Sequence, residues 1–262
     1  MQVDNRLKEA KSRFLTFENC IGILRTFAGE MTKQQLEVKS YNKNKALTFA
    51  HKNSIIYYMK DMAEISNLLF SVFPCGWKRE DGTIKMHQLP QQTQTIAWCY
   101  RWITSPLCAA QATIGYRAML PTATKDQKRD FKILNFQYAT FSGIFSYRDA
   151  ERIVARSPFL TIDIDHLSSL EEAREVRQKL CQDERVGTAL CFVSPSGLGV
   201  KWIVELPEWT DGKPFKEQFD LMRDHLCFQY GLDADKSGSD VCRACFLGYD
   251  PDCYVNQKYI QQ

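Results

Sequence analysis

The clearest hydrophobic pattern in the chain runs from residue 159 to residue 247. In "FLTIDID", residues 159–165, Leu160, Ile162 and Ile164 alternate with Thr161, Asp163 and Asp165. That two-residue period predicts a β-strand with one set of side chains on each face, so the two acids share a face. "SSLEEAREVRQKLCQD" then changes to helical spacing, with Ser168 and Ser169 as capping residues and Leu170, Ala173, Val176 and Leu180 along one stripe. "TALCFVS" and "VKWIVEL" predict two more strands, joined through "PSGLG" as a hairpin. "KPFKEQFDLMRDHLCFQYG" predicts a second helix, with Phe215, Phe219, Met222 and Leu226 on its apolar side and Gly231 as its stop. "VCRACFLGY" predicts a last strand.

The order strand, helix, strand, strand, helix, strand predicts an α+β fold with a split βαβ arrangement, as in RNA-recognition-motif-like domains. In that topology the first strand lies between the third and fourth and runs antiparallel to both. Its C-terminal end would then meet the loop "SPSGLGVK" and the segment "DADKSGSDVCR", bringing three distant segments to one sheet edge.

The first hundred residues are less regular. "LKEAKSRFLTFENCIGILRTFAGEM" has helix-compatible spacing, "NKALTFAHKNSIIYYM" reads as strand then helix, and "FPCGWKREDGTIKM" reads as a turn or hairpin. With no internal repeat and no low-complexity linker, a boundary is placed near residue 105, at "TSPL". It divides an N-terminal α/β region, 1–105, from the core at 106–262, which is expected to pack on it.

Composition narrows the class. The chain has 262 residues, 44% of them hydrophobic, enough for an ordinary globular core. No apolar run reaches the roughly 18 residues of a membrane span, and "MQVDNRLKEAKSRF" lacks the apolar centre of a signal peptide, so a cytoplasmic protein without a membrane partner is expected. The ten cysteines are scattered, which points to reduced thiols. The net charge is +3, but residues 1–60 hold 11 Lys/Arg against 5 Asp/Glu, a distribution that permits a nucleic-acid partner.

Candidate chemistry centres on the acid pair. Two carboxylates on one strand face repel each other and lose hydration unless a positive group lies between them. A hard divalent cation, Mg²⁺ or Mn²⁺, takes such oxygen ligands, and two such ions can serve a polymerase-type reaction. The ordinary alternative is a solvated acid pair at a strand end. In "SPSGLGVK", Ser194 and Ser196 can donate, Gly197 and Gly199 allow backbone N–H groups to approach a phosphate, and Lys201 is cationic. Such a loop is also an ordinary hairpin turn. Arg243, at the start of the last strand, is a phosphate ligand or a plain surface ion pair. "CRAC" at 242–245 with Cys253 suggests thiolate ligation, but the strand reading puts Cys242 and Cys245 on opposite faces, and no zinc is expected.

"TIDIDHL", "SPSGLGVKWIV" and "DADKSGSDVCRACFLGYDPDCYVN" resemble, in order and spacing, the three motifs of archaeo-eukaryotic-type primase-polymerases. The resemblance is closest to the mobile-element branch of VirE N-terminal or BT4734-like domains, and covers about residues 140–256, including "ATFSGIFSYRDAE". It implies metal-binding, catalytic roles for Asp163 and Asp165, and a nucleotide loop at Ser196, Gly197 and Gly199 with Lys201 in place of the family's histidine. The third acid best matches Asp235, because Asp240 and Arg243 follow it at the family's intervals; Asp233 is a rival. The implied activity is DNA primase-polymerase chemistry on a template and primer with nucleoside triphosphates, with unwinding left to a separate helicase or to a longer parent protein.

Two other readings compete. A glycosyltransferase with paired acids would show a nucleotide-binding βαβ repeat before them, and none is evident. A non-catalytic nucleic-acid-binding module would place aromatics on its central strands, whereas the face expected to be exposed here carries Thr161, Asp163 and Asp165.

Overall fold

A computed structural model of the chain describes residues 68–260. The helix expected within residues 7–31 and the strand and helix expected within residues 44–59 lie outside them. Within "FPCGWKREDGTIKM" the expected hairpin forms from β2 (Trp77–Lys78) and β3 (Ile84–Lys85). It follows β1 (Phe70–Phe73) and precedes β4 (Gln92–Gln94).

Three helices come next: α1 (Ile96–Thr104), α2 (Ala110–Met119) and α3 (Lys125–Asn135). Thr95 caps α1 by accepting from Trp98 N–H, and Thr124 and Gln127 form a reciprocal capping box on α3. β5 (Tyr138–Thr140), β6 (Gly143–Phe145), β7 (Ile153–Arg156) and β8 (Phe159–Ile164) lead to α4 (Leu170–Leu180). Then come β9 (Gly187–Val193), β10 (Val200–Glu205) and α5 (Phe215–Tyr230), and finally β11 (Cys245–Phe246) and β12 (Tyr254–Val255).

The expected helix after the acid pair is α4. Ser169 caps it by accepting from Glu172 N–H at 3.1 Å, while Ala173, Val176 and Leu180 are buried as the spacing required. α5 likewise buries Phe219, Met222 and Leu226 and stops at Gly231, whose φ of 66° is the left-handed conformation that glycine tolerates. The Asp183 side chain, only 2% exposed, ties α5 to the turn after α4: it accepts from Tyr230 Oη at 2.7 Å, pairs with His225 Nε2 at 2.6 Å, and accepts from the N–H groups of Arg185 and Val186.

Two four-stranded antiparallel sheets carry the structure, in the orders β11-β5-β1-β4 and β12-β9-β10-β8. Phe70, Val72, Ala139 and Leu247 from the first sheet and its flanks join Phe159, Leu190, Phe192 and Ile203 from the second in one apolar cluster. On its other face the second sheet buries Leu160, Ile162, Ile164 and Trp202 against α4 and α5. Both faces of β8 are therefore covered, and Thr161 and Asp163, expected on an exposed face, are 9% and 6% exposed.

The fold is α+β, and β8, α4 and β9 with β10 paired between the two strands form the expected split βαβ unit, but the strand expected on the other side of β8 is absent. β8 lies at the sheet edge, bonded to β10 alone, and the segment expected to flank it supplies only the two residues of β11, which pair with β5 in the other sheet. The cause is local. Asp235 accepts from Ser237 N–H and Asp240 from Cys242 N–H, so side chains in "DADKSGSDVC" take backbone donors that a strand ladder would need. A single backbone bond, Asp235 N–H to Asp163 O at 2.8 Å, stands where a fourth strand was expected.

The boundary expected near residue 105 falls at the C-cap of α1. Ile96, Cys99 and Ile103 of that helix share their cluster with Phe159 and Leu190, and the described residues lie within one compact unit. Among these residues no helix is long and apolar enough to cross a membrane. The nine described cysteines are free thiols; Cys245 and Cys253 are buried, whereas Cys242 turns toward Asp240.

Candidate metal and anion site

β8 delivers the acid pair. Asp163 is its penultimate residue and Asp165 follows its last, where His166 adopts φ 64° and turns the chain away. Asp235 arrives from the turn after α5, held by the backbone bond to Asp163. One carboxylate oxygen from each of Asp163, Asp165 and Asp235 lies within 4.8 Å of the others, with Asp163 buried, Asp235 half-buried and Asp165 exposed. Asp233, the rival third acid, accepts from the adjacent Ala234 N–H at 2.9 Å and is not part of this cluster.

Two cations are built into the same corner. Lys201 stands opposite Asp163 in the β10–β8 register, and its buried ammonium contacts Asp163 Oδ1. Arg243 Nη2 donates to Asp235 Oδ2 at 2.8 Å and lies 4.0 Å from Asp163 Oδ2. Burial pushes the Asp163 carboxyl up, against the pull of Lys201, and Asp165 adds to the rise. Burial works against the Lys201 ammonium too, but Asp163 and Asp165 outweigh it and hold its pKa above the usual lysine value. Burial also acts on Asp235, yet the Ser237 hydrogen bonds and Arg243 hold its pKa below the ordinary carboxylate range.

The loop between β9 and β10 forms the neighbouring wall. Ser194 N–H donates to Gly199 O at 2.8 Å and Gly197 N–H to Ser194 O at 2.9 Å, so the Gly197 donor is used within the turn. Ser194 and Ser196 share a hydroxyl hydrogen bond of 2.9 Å. Gly199 has a packing role: a Cβ there would lie 2.4 Å from Ile164 O and 3.0 Å from Asp165 Oδ1. Arg117 of α2 braces the loop through its Nε, which donates to Pro195 O at 3.2 Å.

These parts border a cleft of about 330 Å³. Of the residues singled out in the sequence, Asp163, Asp165, Ser194, Ser196, Lys201 and Arg243 line it; Gly197 and Gly199 shape its wall from behind, and Asp235 stands behind Arg243. Lys132 and Arg148 also line it and were not anticipated. Arg148 lies within "ATFSGIFSYRDAE", where a lone arginine in a motif-bearing stretch was the available signal. Lys132 carried none, since "KDQKRDFK" reads as any charged helix face. The donor set is three hard carboxylate oxygens, which fits Mg²⁺ or Mn²⁺.

Residues 132–255 match the family described as BT4734-like, N-terminal domain, and this stretch, which contains the cleft residues named above but not Arg117, is similar to that domain. Searches of curated proteins and of solved structures give no match.

Proposed function

We propose that the chain is a metal-dependent nucleotidyltransferase of the primase-polymerase type, which extends a 3′-hydroxyl on a DNA template from nucleoside triphosphates and releases pyrophosphate. The observation that carries this reading is the convergence of Asp163, Asp165 and Asp235 beside a cleft whose other charged groups are largely cationic. The likeness of the three motifs to primase-polymerases supports it.

Asp163, Asp165 and Asp235 would hold divalent cations. When bound, these supply charge neutralisation at the reacting phosphate and make a nearby hydroxyl a better nucleophile. Lys201 and Arg243 keep two of the three carboxylates in place, so the ligand oxygens are oriented before any ion arrives. The Ser194 and Ser196 hydroxyls edge the cleft and can donate to phosphate oxygens. Most of the rate enhancement in such a site comes from positioning and preorganised charge.

The contact between Lys201 and Asp163 Oδ1 favours one second reading, a binding module that has lost catalysis, because that oxygen is already engaged. Template-dependent extension with labelled nucleotides and Mg²⁺ or Mn²⁺ separates the two. Incorporation by the wild type and none by Asp165→Asn is expected. A folded wild-type chain that binds single-stranded DNA but incorporates nothing with either metal supports the module instead.

A further inference from the structure

The cleft is electrically uneven. Lys201 and Arg243 are each committed to an aspartate, whereas Lys132 and Arg148 enter no ion pair among the described residues. Lys132 sits in the last turn of α3 with its Nζ 5.7 Å from the Phe246 ring centre. Arg148 donates from Nε to Gln88 Oε1 at 3.1 Å and lies 5.6 Å from the Tyr138 ring centre. Tyr138 and Phe246 are register partners on β5 and β11, so the two cations flank one aromatic pair on the wall formed by the first sheet.

Burial lowers the Lys132 pKa, and Lys201 lowers it further. Asp165 and Asp163 pull the other way but do not outweigh burial, and a half-buried ammonium with no direct ion-pair partner gains from an anion bound there.

We propose that Lys132, with Arg148 beside it, anchors the distal phosphates of a nucleoside triphosphate whose α-phosphate lies at the aspartates, so that the cleft selects triphosphates over monophosphates. The proposal rests on the nucleotidyltransferase reading and extends it to residues outside the three motifs. Phosphate groups of a nucleic-acid backbone share this chemistry, but about 330 Å³ is the volume of a small-molecule site, and Lys132 lies within it rather than on an open track.

Calcium-supported binding to the full chain tests it, with a deoxynucleoside triphosphate, its monophosphate and a short single-stranded oligonucleotide as probes. Lys132→Met should weaken the triphosphate by about tenfold or more, as loss of a charge-assisted contact does, and leave the monophosphate within about threefold and the oligonucleotide unchanged. Lys132→Arg should retain most of the affinity and controls for folding. Unchanged triphosphate binding in Lys132→Met overturns the proposal, as does an equal loss for both nucleotides. A loss confined to the oligonucleotide assigns Lys132 to the nucleic-acid backbone and also overturns it. A wild type that extends primers while Lys132→Met binds triphosphate normally removes the anchor alone. One that binds triphosphate through Lys132 but never extends removes the nucleotidyltransferase reading alone.

Discussion

Lys201 and Asp163 face each other across the β8–β10 ladder, their charged ends in contact and their side chains only 11% and 8% exposed. Removing either partner leaves the other's charge buried. Asp163→Ala should therefore lose stability, by about 3–5 kcal/mol, the usual cost of breaking a buried pair, as well as a proposed metal ligand. The double variant Asp163→Ala/Lys201→Met should recover part of that loss. Urea denaturation in a chelator, run as a double-mutant cycle, measures both.

Geometry singles out Asp235 as the third candidate metal ligand. Asp235→Asn should weaken Mn²⁺ binding by at least about tenfold, whereas Asp233→Asn, which alters a carboxylate bonded to its own neighbour, should change it little. Titration followed by the Mn²⁺ paramagnetic signal distinguishes them, and equal losses in the two variants would remove Asp235 from its special place.

Gly199 is where the β9–β10 loop and the acid strand touch. Gly199→Ala must displace Ile164 O or Asp165, at a cost of about 1–3 kcal/mol for overpacking. It should lower both the melting temperature and the Mn²⁺ affinity. Gly212→Ala, whose Cβ meets nothing within 4 Å, should leave the Mn²⁺ affinity alone and cost only the strain of its φ of 75°.

Asp183 supplies a pH dependence away from the cleft. Its burial opposes ionisation, but hydrogen bonds from His225, Tyr230 and two backbone N–H groups prevail and hold its pKa below the ordinary value. A carboxyl whose folded pKa is depressed contributes stability that is present above its unfolded pKa, about 3.9, and lost as pH falls through the folded value. Asp183→Asn should therefore destabilise the protein by about 1–3 kcal/mol at pH 7 and by less at pH 3. Urea midpoints at the two pH values test this, and an equal loss at both would contradict the linkage.

Local periodicity revealed β8, α4, the β9–β10 hairpin and α5 because each buries a regular stripe on a neighbouring layer. The expected pairings of β10 with β8 and with β9 are found, but the place of the last strand was not legible. "VCRACFLGY" alternates well enough for a strand, but the Asx turns before it and its pairing with Tyr138 and Ala139 are non-local facts. The position of β8 at a sheet edge was invisible for the same reason. The acids were legible as a pair on one face, and Asp235 through its intervals to Asp240 and Arg243. Lys132 was not, because nothing in an amphipathic helix distinguishes a lysine that ends in a cleft from one that ends in water.

The lone backbone bond from Asp235 N–H to Asp163 O joins parts of the chain separated by α4, the hairpin and α5. Closing so long a loop carries an entropic penalty that the intervening elements offset only once they have packed. The aspartate trio is thus expected to assemble late in folding, after the second sheet and its two covering helices. Mn²⁺ affinity during refolding should appear after helical ellipticity has recovered, making the ion a reporter of the final docking step.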